Sequence, residues 1–338
     1  MSGKPVKTIA DIAKICGVSK STVSRALNDS PQISEETKAR IQAVAREHRF
    51  QANVPARCLS LRRSHTIAFV LVSHQPDDCC SLEDLFVLEM LGAISSTIST
   101  YRYNLLVANI DSRDPEWPNQ FLETGRADGF ILLTSSRKNQ LVKTLLKTEA
   151  PFIVWGMPLP HHSYCSVISD NYSGGKKATE YLLKKGKLQI AFLGGPADEY
   201  ETQQRYNGYI AALQQNGLEV NSSLVTHGDW TYESGAIQTQ RLLETTPNLD
   251  AIFVNSDLMA VGAINMLQEK GRRVPQDVAV VGYDDLSLAR LTNPPLTTIS
   301  QKIPLVGKLL AQHLIHHIDT GLVTNVTVPA DLVVRASA

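Results

Sequence analysis

Thr8-Ile-Ala-Asp-Ile-Ala-Lys-Ile-Cys-Gly-Val-Ser-Lys-Ser-Thr-Val-Ser-Arg-Ala-Leu-Asn28 reads as two short helices folded about a tight turn. Ile9, Ile12, Ala13, Val18, Val23 and Leu27 recur at helical spacing, and Gly17 stands where the first helix should stop in a positive-φ residue. Ser19 then caps a second helix. If Ile12, Ala13, Val18, Val23 and Leu27 form the seam, Lys20, Ser21, Ser24 and Arg25 are left on a short, polar, cationic outer face. Such a face suits the second helix of a helix-turn-helix, whose N-terminal side chains reach base edges in the major groove. A third helix is expected from a cap at Ser34 through Glu35 to Arg49, with Ile41, Val44 and Ala45 buried. Residues 1–50 thus form a three-helix DNA-binding headpiece.

Charge is partitioned along the chain. Residues 1–63 hold 12 Lys and Arg against 5 Asp and Glu, while 64–338 hold 21 against 28, so a formal net charge of zero hides a +7 unit ahead of a −7 body. Only the first segment is expected to meet phosphates. A chain of 338 residues calls for two or three domains. Lys4 and Lys7 precede a charged helix rather than an export signal, and no apolar run reaches the length of a membrane span, so a cytoplasmic location is expected. The five cysteines, at 16, 58, 79, 80 and 165, show no paired spacing and imply neither disulfides nor a metal site.

Residues 51–63 read as a linker, too short for a helix stable by itself. Beyond it, apolar runs at 66–72, 104–109, 129–134, 151–155, 189–193, 251–254 and 278–281 read as strands. Amphipathic stretches such as 85–99 separate most of them. That alternation means α/β architecture with parallel sheets and crossover helices on both faces. Seven or eight strands could make one wide sheet, but motif spacing favours two sheets with a cleft between them.

Several ordered motifs resemble the lactose/galactose repressor family of bacterial transcription regulators. They run from Thr8-Ile9-x-Asp11-Ile12-Ala13, Gly17-Val18-Ser19 and Thr22-Val23-Ser24-Arg25-x-Leu27-Asn28 to Asn53-x-x-Ala56-Arg57-x-Leu59 and Asp170-Asn171. Arg205-Tyr206-x-Gly208-Tyr209, Ser256-Asp257-x-Met259-Ala260, Gly282-Tyr283-Asp284-Asp285 and Pro294-Pro295-Leu296-Thr297-Thr298-Ile299 complete the set. The resemblance implies a homodimer on a pseudo-palindromic operator. It implies a hinge helix at 51–63 with Ala56 and Arg57 at the DNA and Leu59 as a minor-groove wedge. A flexible tether is the bland alternative, and Pro55 is compatible with a hinge starting at Asn53 or Val54. It further implies a two-lobed, periplasmic-binding-protein-like core over 64–338. Lobe 1 would take about 64–165 and 294–323, and lobe 2 about 166–293 and 324–338, with crossings near 165, 293 and 323.

Lys20, Ser21 and Arg25 are candidates for base contacts; Thr8, Ser19, Thr22, Ser24 and Asn28 suit phosphates or caps. Polar groups at the carboxyl ends of parallel strands face the crevice. Ser256 and Asp257 follow one such strand, Asp284 and Asp285 another; Trp230 lies in a loop, and Arg205 opens a helix after Gly194-Gly195-Pro196. By resemblance, Arg205, Ser256, Asp257 and Asp284 contact effector and Trp230 stacks on it. Trp230 as core and Asp257 as a helix cap are the alternatives. The loop 73–84 leaves first-lobe contacts open, with Phe86, Ser135 and Trp155 as candidates. Carboxylates with a guanidinium and an indole suit vicinal hydroxyls on a sugar ring, or a purine or nucleoside, acting as inducer or as co-repressor. No cofactor is implied. An α/β enzyme is disfavoured, because nucleophile-elbow, phosphate-loop, dinucleotide and metalloprotease motifs are missing. The pairs His161-His162 and His316-His317 lack the rest of a metal shell.

Overall fold

The computed structural model describes residues 8–27, 29–48, 50, 63–72, 84–133 and 139–338. Two units result, Met1–Ser64 and His65–Ala338. The first holds α1 (Ile9–Cys16), α2 (Lys20–Leu27) and α3 (Glu35–Glu47). Thr8 caps α1 through a reciprocal box with Asp11, and Gly17 closes it at φ 66°, where any other residue would be strained. Ser19 accepts the Thr22 N–H at 3.1 Å and starts α2. Ile12, Ala13, Val23, Ala26, Ile41 and Ala45 make the core, with Val18, Leu27 and Val44 half-buried at its edge.

The second unit contains two six-stranded sheets. Lobe 1 is built on β1 (Thr66–Val72), β2 (Asn104–Ile110), β3 (Gly129–Leu133), β4 (Phe152–Trp155), β5 (Cys165–Ser169) and β11 (Asn325–Val328), in the order β11-β5-β4-β3-β1-β2. Lobe 2 is built on β6 (Ile190–Gly194), β7 (Val225–His227), β8 (Ala251–Val254), β9 (Ala279–Asp284), β10 (Thr297–Ser300) and β12 (Asp331–Val333), in the order β12-β10-β9-β8-β6-β7. Every pairing is parallel except β10 with β12.

Both faces of each sheet are covered, which is why β3, β4, β6 and β8 are buried at every position. On lobe 1, α4 (Leu85–Thr100) and α11 (Ile303–Thr320) pack one face. Its other face is covered by α5 (Trp117–Leu122) and α6 (Asn139–Lys147). On lobe 2, α7 (Asn171–Lys184) and α8 (Tyr200–Gln215) take one face, and α9 (Tyr232–Thr245) and α10 (Asp257–Glu269) the other. Each fully buried Leu, Ile, Val or Phe contributes about 1.5–3 kcal/mol.

Strand membership moves the lobe boundaries later than expected. β5 completes lobe 1 before the chain leaves it near Asp170, β10 still belongs to lobe 2, and β11 still belongs to lobe 1. The crossings therefore fall at about 170, 301 and 329–330, not near 165, 293 and 323. Hydrogen bonding explains the shift: each short strand continues an existing ladder before the chain departs. Among the described residues, no helix is long and apolar enough to cross a membrane.

Candidate functional site

In the headpiece, Lys20, Ser21 and Arg25 are exposed on α2, while Val23 and Ala26 on its other side are buried. Thr22 and Ser24 are half-buried. Ser19 Oγ lies 2.7 Å from Ser21 Oγ and 2.8 Å from Thr22 Oγ1, a hydroxyl cluster at the start of the helix. Thr8 and Ser19 thus serve as caps, and their hydroxyls remain at helix N-termini, where phosphate oxygens are favoured. Asn28, Ala56, Arg57 and Leu59 lie outside the described residues, as does Ser135 of the body.

Both sheets follow the strand order in which ligands sit over the carboxyl ends of the strands, at the switch between the first and third strands. A cavity of about 130 Å³ opens there between the lobes. Lobe 1 contributes Asp84, Phe86, Val87, Leu133 and Trp155; lobe 2 contributes Glu199, Glu201, Arg205, Trp230, Ser256, Leu258, Asp284, Leu286 and Gln301. At about 30 Å³ of liquid volume per water, such a volume holds on the order of four waters.

Six expected residues meet at this cavity: Arg205, Trp230, Ser256, Asp284, Phe86 and Trp155. Arg205 is buried in the second turn of α8 and does not open the helix, which begins at Tyr200. Its Nε donates to Asn171 Oδ1 at 2.8 Å, its Nη1 to the Asn255 carbonyl at 2.6 Å, and its guanidinium carbon lies 3.7 Å from the Tyr283 ring centroid. This packing fixes the direction of the guanidinium. Trp230 adopts φ 74° and packs on Gly195, where an added Cβ would enter the indole ring. Ser256 caps α10 by accepting the Met259 N–H at 3.2 Å.

Asp284 is the last residue of β9, at φ 118°. Gln301 Nε2 donates to its Oδ1 at 2.6 Å. Burial pushes its pKa up to about 7, against the pull of Arg205 and Gln301 and with a further push from the Asp84 carboxylate. Burial also raises Asp84, which caps α4 through the Phe86 N–H, and Glu201.

Asp257, expected among the ligand contacts, is outside the lining. It is fully buried behind Asp284, taking the Leu286 N–H at 2.7 Å on Oδ2 and the Thr298 hydroxyl on Oδ1. Burial, then the charge of Asp284, holds its carboxyl well above the ordinary range. Ser256 is the residue that caps α10, with Asp257 in its first turn. The Leu286 side chain enters the apolar core of lobe 1, and the Ser287 N–H donates to Glu89 Oε1 of α4 at 2.7 Å. The segment after Asp284 is therefore a latch from one lobe into the other.

Sequence reasoning missed Asp84, Glu199, Glu201 and Gln301 in the lining. Glu201 and Arg205, one helical turn apart on α8, offered a readable signal; Gln301 offered none. Among the described residues, no group of three or more His, Cys, Asp or Glu side chains could hold a metal. His162 and His317 sit beside the carbonyls of Pro160 and Leu322.

Residues 8–53 match the model of bacterial regulatory proteins of the lacI family, and residues 179–338 match a periplasmic binding protein-like domain. The chain is 35% identical over 320 residues to the HTH-type transcriptional regulator CelR of Thermobifida fusca, covering 94% of this chain and 93% of that one. A solved complex of the transcriptional regulator CelR with cellobiose superposes with a TM-score of 0.73 at 32% identity, over 98% of this chain and 99% of that one. The lac repressor dimer bound to operator and an anti-inducer superposes with a TM-score of 0.82 at 28% identity, over 99% of each chain.

Proposed function

The chain belongs to the lacI family of bacterial regulatory proteins and is a DNA-binding transcriptional regulator, and from that premise we propose that it is a repressor controlled by a sugar held between its lobes. It acts in the cytoplasm as a homodimer, two headpieces reading a pseudo-palindromic operator, with Lys20, Ser21 and Arg25 at base edges. Thr8, Ser19, Thr22, Ser24 and Asn28 meet phosphates, and Ala56, Arg57 and Leu59 engage the minor groove.

The observation that carries this reading is that polar groups of lobe 2, Arg205, Ser256 and Asp284, face aromatic rings of lobe 1, Phe86 and Trp155, across one cavity. A ligand touching both lobes favours one lobe angle over another, and only such differential contact shifts an equilibrium. Arg205 and Asp284 fork onto ring hydroxyls, Trp230 takes the apolar face of the ring, and Asp257 acts from behind by holding Leu286. Similarity to a cellobiose-bound regulator supports a sugar; a purine stacked on the same indoles is the competing ligand.

To test this, an operator is selected from random DNA with the full chain, and its affinity is measured with mono- and disaccharides, nucleosides and purines. A palindromic site whose affinity changes with one sugar, and no longer changes in Asp284→Ala, is the expected result. A response only to purines, or to nothing, rejects the sugar reading.

A further inference from the structure

Three consecutive residues at the carboxyl end of β9, Asp284, Asp285 and Leu286, are each gripped by a different part of the chain. Asp284 accepts from Gln301, and the Leu286 N–H donates to Asp257. Between them Asp285 is held by Arg335, whose Nη2 donates to Asp285 Oδ1 while its Nη1 donates to the Leu296 carbonyl at 2.8 Å. The turn so restrained is strained, with Asp284 at φ 118° and Asp285 at φ 60°, neither of them a glycine. Backbone of that kind persists only where the surrounding structure over-determines it. We propose that Arg335 is a positioning residue for the cavity: by gripping Asp285 it holds the turn that presents Asp284 to the ligand and sends Leu286 into lobe 1.

This role rests on the reading of the cavity as the effector site and adds a residue outside its lining. Arg335 follows β12, just past the last crossing between the lobes, and its backbone is fixed on both sides. Its N–H donates to Thr297 Oγ1 at 2.9 Å, the Ala336 N–H donates to the Pro295 carbonyl at 2.9 Å, and the Ser337 carbonyl accepts the Val280 N–H at 2.8 Å. Leu296 belongs to the lobe 2 core, so the guanidinium ties the turn to an immobile point with two donors in one planar fork. The side chains of Arg335 and Asp285 are 13% and 15% exposed, so water screens the pair little, and removing the cation strands a poorly hydrated carboxylate.

Hydrogen exchange of the full chain, followed by mass spectrometry, reads the turn without any ligand. Arg335→Met keeps the apolar stem and removes the grip. It should speed exchange over 285–288, where the Leu286 and Ser287 amides are bonded to Asp257 and Glu89, by about tenfold or more, and leave the central strand β8 unchanged. Asp285→Asn weakens the grip from the other side without touching the C-terminal segment and should give the same local acceleration. Asp285→Gly supplies a residue at ease at positive φ. In that background Arg335→Met should change exchange less than about twofold, because the two sites act through one another. Equal acceleration in both backgrounds, loosening of β8 as great as that of the turn, or no change at all overturns the inference.

In parallel, thermal unfolding is followed with glucose, ribose and cellobiose. A sugar that stabilises the parent should bind Arg335→Met about tenfold more weakly, the worth of one misplaced charged hydrogen bond, and should bind Asp285→Gly equally well with and without Arg335→Met. A loosened turn with undiminished sugar binding overturns the positioning role while leaving a sugar-responsive regulator intact. Local loosening relieved by Asp285→Gly, with no sugar bound by the parent, leaves Arg335 as the brace of the turn and counts against the sugar.

Discussion

Gln301 donates its side-chain amide to Asp284 across 2.6 Å, joining the acid at the end of β9 to the segment by which the chain leaves lobe 2 for lobe 1. A ligand that draws on the Asp284 carboxylate therefore competes with, or reinforces, a bond to a connector. Two residues further on, Leu286 is embedded in the other lobe's core. Recognition and lobe geometry share four consecutive residues and one glutamine.

Asp284 gives the body a pH signature. Its pKa stands at about 7 in the folded chain against an ordinary 3.8, so between these values the folded chain holds more protons than the unfolded one. The stability contributed by that proton is present below pH 4 and is lost as pH rises through about 7. Asp284→Asn keeps the acceptor for Gln301 and cannot ionise. It should match the parent below about pH 4 and melt a few degrees higher at pH 8. Equal melting at pH 8 would show that the carboxylate is not disfavoured there.

Leu286 is 2% exposed among lobe 1 side chains. Leu286→Ala should cost about 2–5 kcal/mol of body stability by denaturant unfolding. Leu286→Met, which keeps the volume, should cost less than about 1.5 kcal/mol. A cost below 1 kcal/mol for the alanine variant would remove the latch from the account.

Gly195 admits the Trp230 ring where a methyl group would stand. Gly195→Ala should displace the indole and weaken effector binding roughly two- to tenfold, the worth of an aromatic contact. Titration calorimetry of the two proteins with the identified effector decides it; unchanged affinity shows that Trp230 is not a platform for the ligand.

Arg25 is exposed on the outer side of α2, away from the buried Val23 and Ala26. If it reads a base, Arg25→Ala should lose about 1–3 kcal/mol on the operator and little on unrelated DNA. Fluorescence anisotropy at fixed salt makes the comparison. Equal losses on both DNAs would reduce Arg25 to a phosphate contact.

The headpiece and seven of the strands were legible because each is decided locally, by helical spacing about Gly17 or by unbroken apolar runs such as Thr66–Val72. The strands that escaped notice, β5, β7, β10, β11 and β12, are three to five residues long, and all but β12 carry Ser, Thr or Asn. They become strands because a neighbouring ladder is open to them, a tertiary cause that leaves little trace in local composition. The lobe crossings were misplaced for the same reason. At the cavity, aromatic rings and strand-end acids were readable by residue type. Gln301 and Leu286 were not, since their partners Asp284 and the lobe 1 core are remote from any pattern around them. Asp257 was readable as an acid but not as one that faces away from the ligand, because that depends on which oxygen finds Thr298 and Leu286.

The threefold passage between lobes bears on how the body is made. β11 and β12, the last strands of the two sheets, lie within nine residues of each other at 325–333, and the Ser337 hydroxyl bonds both Thr297 N–H and the Val280 carbonyl. Neither lobe is a contiguous stretch of sequence, so neither can reach its final hydrogen bonding until β11 and β12 have left the ribosome. The headpiece, which precedes the body in the sequence and has a core of its own, is under no such constraint. During synthesis the DNA-reading unit is thus finished long before the unit that would govern it, which waits on β11 and β12.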